Sequence, residues 1–108
     1  RENPMTNAPM NLPKLSLTWE ALGTYSTVAI RTELAKMVAA EAALLGWRRE
    51  SIISQMDLYN VTPGEVVRAD KETGGALEEA LEAARYYTGP IQFLEEEIER
   101  REWARLRY

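Results

Sequence analysis

Residues 27–45 read TVAIRTELAKMVAAEAALL, and this stretch decides the fold class. Ile30, Leu34, Met37, Val38, Leu44 and Leu45 recur at the three- and four-residue steps that place side chains on one face of an α-helix. Arg31, Glu33 and Lys36 fall largely off that stripe. Ala35, Ala39, Ala40, Ala42 and Ala43 leave little side-chain bulk, so a second helix can approach closely. Helical phase continues past Gly46, because Val38, Leu45, Ile52 and Tyr59 are spaced seven apart. The segment 47–59 carries Ile52, Ile53, Met56 and Tyr59 on one side, and Gly46 either ends the first helix or bends it.

Outward from this run, the C-terminal side is strongly punctuated. Asn60 is a candidate C-cap. Asn60-Val61-Thr62 also has glycosylation-acceptor spacing, but no secretory leader precedes it and the cap is the expected role. Thr62-Pro63-Gly64-Glu65 is a capping box with proline at the first helical position, and Val61 and Val66 flank it as a hydrophobic staple. A short helix is expected from Pro63 to about Glu72, stopped by Gly74-Gly75. Leu77, Ala80, Leu81 and Ala84 mark a further helix ending near Tyr87. Thr88-Gly89-Pro90 reads as a tight turn into a last helix with Ile91, Leu94 and Ile98 inward, which predicts a C-terminal antiparallel hairpin.

On the N-terminal side, Ser16 or Thr18 can cap a helix start, with Glu20 in its first turn. Before it, Pro4, Pro9 and Pro13 forbid helix over residues 1–15 and favour an extended arm. The expected architecture is therefore an all-α bundle of about four to five helices. It comprises an extended arm over 1–15 and one helical domain over 16–108. Leu34, Val38, Leu45, Ile52, Leu81 and Ile98 are the expected core.

Composition narrows the chemistry. The 108 residues include no cysteine and no histidine. That removes disulfides, thiolate nucleophiles, the usual neutral-pH general base and the commonest metal ligands. Ser51 and Ser54 have no histidine to activate them, Lys36 and Lys71 have no spacing that fits a serine–lysine pair, and Gly74-Gly75 lacks the residues of a phosphate loop. No catalytic residue, metal or cofactor is expected, and the chain is read as a non-enzyme. No apolar run approaches the ~20 residues of a membrane span. The sequence opens on Arg1, as a processed chain or an internal start would, and its first residues lack the apolar core of a signal peptide. A soluble chain, intracellular or virion-associated, is expected.

The net charge of −4 comes entirely from residues 61–108, where eleven acidic side chains face seven basic ones. Such a field does not attract nucleic acid. Even so, helix 47–59, the turn at Asn60-Val61 and helix 63–72 resemble a helix-turn-helix in outline. Arg48, Arg49, Thr62, Arg68 and Lys71 would then be the nucleic-acid contacts. With a C-terminal hairpin as oligomerisation element, that layout is similar in arrangement to the small terminase subunits of tailed phages. Gln55 and Met56 depart from the motif's apolar and small positions, and residues 47–72 carry four basic against five acidic groups.

The cluster Glu95-Glu96-Glu97 precedes Arg100-Arg101, the order favoured by the helix dipole, with Glu96–Arg100 and Glu97–Arg101 as i,i+4 pairs. Phe93 and Trp103 project from opposite sides of the expected inward face. Trp103, Arg105 and Tyr108 are residue types enriched in binding hot spots. Met5, Met10 and Leu12 give the arm apolar anchors. The expected function is a structural, assembly or adaptor subunit, a virion component or an accessory subunit. It would contact other protein chains through the arm and Phe93, Trp103, Arg105 and Tyr108, as a homo-oligomer or within a larger assembly. The nucleic-acid module is the alternative.

Overall fold

The computed structural model describes residues 8–9 and 12–106. A 3-10 turn, Trp19–Thr24, precedes three α-helices: α1 (Thr27–Tyr59), α2 (Pro63–Thr73) and α3 (Ala76–Leu106). No strand occurs among the described residues. The two long helices run antiparallel. Arg101 donates to Thr27 Oγ1 (3.0 Å), Thr88 pairs with Glu41 (3.3 Å), and Arg48 donates to the Leu77 carbonyl (3.2 Å), so the ends of one meet the opposite ends of the other. The short α2 closes one end of the hairpin, giving a rod of 60 × 23 × 21 Å.

Each boundary has a local cause. Ser26 accepts the Ala29 amide (3.0 Å) and starts α1, while the start expected at Ser16 or Thr18 is that of the 3-10 segment, with Thr18 at its N-cap position but no side-chain cap bond. Asn60 ends it in the left-handed region (φ 53°), where a short amide side chain is tolerated better than most. Both bonds of the Thr62–Glu65 capping box form, and α2 begins at Pro63. Gly74 (φ 142°) and Gly75 (φ 71°) occupy backbone that a side chain would strain, which stops α2. Asp70 then accepts the Leu77 and Glu78 amides (3.0 and 3.2 Å), so a residue of α2 caps the start of α3.

Three expectations need correction. First, of the two roles open to Gly46, ending the helix is excluded: α1 is continuous from 27 to 59, in keeping with the helical phase that runs past it. Second, the buried seam of α1 is Ile30, Met37, Leu44 and Ser51, with Glu33 and Ala40 between them. Val38 and Leu45 are 42% and 40% exposed, Leu34 and Ile52 are half-buried, and Glu33 is buried where it was expected outside. The seven-residue period is right and its phase is one residue, about 100°, off. Large Ile30, Met37 and Leu44 alternate with small Ala40 and Ser51 along the seam, and this line, not Val38–Leu45, interlocks with α3.

Third, there is no turn at Thr88-Gly89-Pro90 and no C-terminal hairpin; α3 runs through Pro90. A proline inside a helix removes one bond and crowds the preceding turn, at ~3 kcal/mol. Burial offsets that cost: Tyr87 and Leu94 are buried on either side and Ile91 packs against the core, with each fully buried large side chain contributing ~1.5–3 kcal/mol. The hairpin that does form is α1 with α3. Its α3 face is Leu77, Ala80, Ala84, Tyr87, Leu94 and Ile98, so Ile98 is core as expected and Leu81 is half-buried.

Candidate partner surfaces

The arm is held by its own domain over the residues described. Leu15 and Leu17, with Leu22 and Tyr25 beyond them, pack against the core. Polar bonds fix the register. Tyr87 donates to the Pro13 carbonyl (2.7 Å), the Ser16 amide donates to Glu33 (2.7 Å), and Arg101 donates to the Leu22 carbonyl (3.2 Å). These partners come from both long helices, so residues 13–22 lie along the α1–α3 hairpin.

Two buried carboxylates anchor this clasp. Burial of Glu33 works to raise its pKa, but the Ser16 amide and the Lys36 ammonium outweigh it, and the carboxyl lies below its ordinary value. Glu97 behaves alike: burial opposes ionisation, yet Arg101 and Arg100 hold its pKa down. Glu97 bonds Arg101 at 2.7 Å and also pairs with Arg100. The expected Glu97–Arg101 pair therefore forms, whereas Arg100 pairs with Glu97 and Glu96 accepts from Gln92 (3.3 Å). Burial pushes the Tyr87 hydroxyl above its ordinary value, with Tyr86 adding to the effect. These groups are mutually satisfied, and no cluster of ligating side chains suited to a metal occurs among the described residues.

The expected partner residues divide into separate places. Met5, Met10 and Tyr108 lie outside the described residues. Leu12 is exposed at the rim of an open recess lined by Pro13, Lys14, Ala83, Tyr86 and Tyr87. Phe93 is 56% exposed and its ring meets Trp19, with centroids 5.2 Å apart, so the two aromatics form one surface patch. Trp103 and Arg105 are exposed at the end of α3. Arg101 reaches Thr27, the first residue of α1, and Arg105 lines a small recess with Thr27 and Arg31, so the last turn of α3 lies beside the start of that helix. Trp103 is 62% and Leu106 73% exposed there.

Sequence reasoning missed Trp19, Leu106 and the outer face of α1. Trp19 falls within the helix expected from Ser16 or Thr18, which is weakened by Gly23, Thr24 and Ser26 and forms only as the short 3-10 segment. The five nucleic-acid candidates do not make one basic face. Arg48 is half-buried and spent on the Leu77 carbonyl, and Thr62 serves the capping box. Arg49, Arg68 and Lys71 are exposed. No helix among the described residues is long and apolar enough to cross a membrane. Set against protein-family models, curated proteins and solved structures, the chain finds no match.

Proposed function

We propose that the chain is a non-catalytic assembly or adaptor subunit whose contact with another protein is made by the end of α3. The observation that carries this reading is the exposure of the end of α3. Trp103 and Leu106, with Arg105 on the same last turn, stand open to a partner. Tryptophan and arginine are among the residue types most enriched at positions that dominate binding energy. The Trp19–Phe93 patch is a second apolar contact. The non-catalytic part rests on chemistry: the buried carboxylates are committed to basic partners and to the arm, and neither histidine nor cysteine is present.

The test is affinity capture from the source cell with the wild-type chain and with Trp103→Ala, followed by binding measurements on each purified candidate. A specific protein bound by the wild type and at least tenfold more weakly by Trp103→Ala is expected, corresponding to ~1.4 kcal/mol or more. Helix content should be equal in the two chains. Equal binding by both removes the α3 end from the reading. A gel shift that weakens steeply with salt and depends on Arg68 and Lys71 would favour the nucleic-acid alternative instead.

A further inference from the structure

A helix buried on one face ordinarily carries polar residues on the other. Over its middle, the outer face of α1 does not. From Thr32 to Gly46 its outward positions are Thr32, Ala35, Val38, Ala39, Ala42, Leu45 and Gly46, and none is charged. All seven are exposed, over a strip about 21 Å long. Exposed Arg31 bounds the strip at one end and Arg49 and Glu50 at the other, with exposed Val28 and Ile53 beyond them. Gly46 adds an independent observation. A methyl group built there meets nothing within 4 Å apart from the backbone of its own stretch of helix, so no packing within the chain requires a glycine in the middle of this long helix. A glycine at such a position weakens the helix, and its physical use is to let another backbone come close.

We propose that this face pairs with the same face of a second copy, α1 against α1 in antiparallel order about a two-fold axis at Ala42–Ala43. The residue pattern is self-complementary only in that arrangement. With Ala42 beside its symmetry mate, Ala39 meets Gly46 of the second copy, so the two narrowest layers lie at the crossing. Thr32 meets Ile53 and Val28 meets Met56, placing larger side chains where the helices diverge. Arg49 falls opposite Ala35, whose small side chain leaves room for the arginine stem while its charged end reaches water. On one flank, Lys36, whose ammonium also pairs with Glu33 of its own copy (2.9 Å), falls opposite Glu50 of the second copy, twice by symmetry, and Ala43 lies between these pairs on the axis. On the other flank Val38 meets Leu45. A parallel, in-register pair would set Lys36 against Lys36 and Glu50 against Glu50. Charge order along the face thus selects both the partner and its direction. The four long helices of the dimer then form a layer with α1 of each copy at its centre and α3 outside, and the end of α3 is left open.

This face is separate from the α3 end, and so is its test, which uses the purified chain alone. Mass by light scattering over a wide concentration range should rise to that of a dimer. Ala42→Arg, which places two arginines on the axis but faces water in a single copy, should shift the dissociation constant upward at least a hundredfold without changing helix content. Trp103→Ala should leave dimerisation unchanged. Because the chain has no cysteine, Ala42→Cys gives a clean geometric probe. It should cross-link to a disulfide dimer on mild oxidation, whereas Val28→Cys, equally open but far from its own symmetry mate, should not. A wild-type chain of monomer mass at every concentration overturns the proposal, as does a dimer that survives Ala42→Arg or is lost with Trp103→Ala. Cross-linking through Val28→Cys as readily as through Ala42→Cys overturns the antiparallel order. Loss of the dimer proposal leaves the α3 reading standing, and failure of partner capture leaves the dimer standing.

Discussion

At the scale of single residues, the features with local causes are the ones the sequence announces. Thr62 is the clearest: its hydroxyl accepts the Glu65 amide (3.2 Å) and its own amide donates to the Glu65 carboxylate (3.0 Å). Thr62→Ala should lower stability by ~1 kcal/mol, read as a shift in the denaturant midpoint, and no change would show that α2 is held by packing alone. Glu97 is the opposite case. It stands in a run of glutamates that reads as a solvated face, yet it is buried and bonded to two arginines. Nothing within three or four residues distinguishes it from Glu95 or Glu96; only the docking of α3 on α1 and on the Leu22 segment does. Glu97→Gln keeps the shape and removes the charge, and should cost ~1–3 kcal/mol because Arg101 then loses its ionic partner in a half-buried site. Glu96→Gln, on the exposed side of the same turn, should change stability by less than ~0.5 kcal/mol. Equal effects from the two would contradict the burial described for Glu97.

At the scale of elements, period was legible and phase was not. The middle of α1 offers two neighbouring apolar lines, Met37–Leu44 and Val38–Leu45, one residue apart. Side-chain character does not rank them, since the choice is made by which line interlocks with Ala80, Ala84 and Tyr87 of α3. The reading of Thr88-Gly89-Pro90 as a turn failed for a related reason. Local propensity favours a break, but burial of Tyr87 and Leu94 on both sides of it holds the helix together. The cost of that override should be measurable. Pro90→Ala restores a backbone donor to the Tyr86 carbonyl and relieves the crowded turn, so it should stabilise the protein by up to ~3 kcal/mol, raising the thermal midpoint by several degrees. A destabilised Pro90→Ala variant would mean that the proline ring is itself part of the packing and that the helix is not strained there.

For the whole molecule, titration acts at both edges of the pH scale on the same clasp between arm and hairpin. Glu33 and Glu97 have pKa values lowered by folding, so they bind protons less readily folded than unfolded. Their stabilising contribution is complete above the ordinary glutamate value of ~4.3 and is lost as pH falls through the lower folded values. Tyr87 has its value raised, so the folded protein keeps that proton longer. Its contribution is present below the ordinary tyrosine value of ~10 and is lost as pH rises through the raised folded value. In acid, the Ser16 amide loses its charged acceptor and Arg101 its ionic anchor; in alkali, the Tyr87 hydroxyl can no longer donate to Pro13. The thermal midpoint should therefore be nearly level between about pH 5 and pH 9 and decline on both sides. Glu33→Gln with Glu97→Gln should start lower and show a shallower acid decline. Tyr87→Phe, which keeps the buried ring, should flatten the alkaline decline while leaving the acid one intact. Tyr25, whose value is lowered by its bonds to Thr18, works against the alkaline loss, so Tyr25→Phe should steepen it. An acid decline as steep in the double glutamine variant as in the wild type would show that other carboxylates hold the fold, and that the arm is seated by its leucines alone.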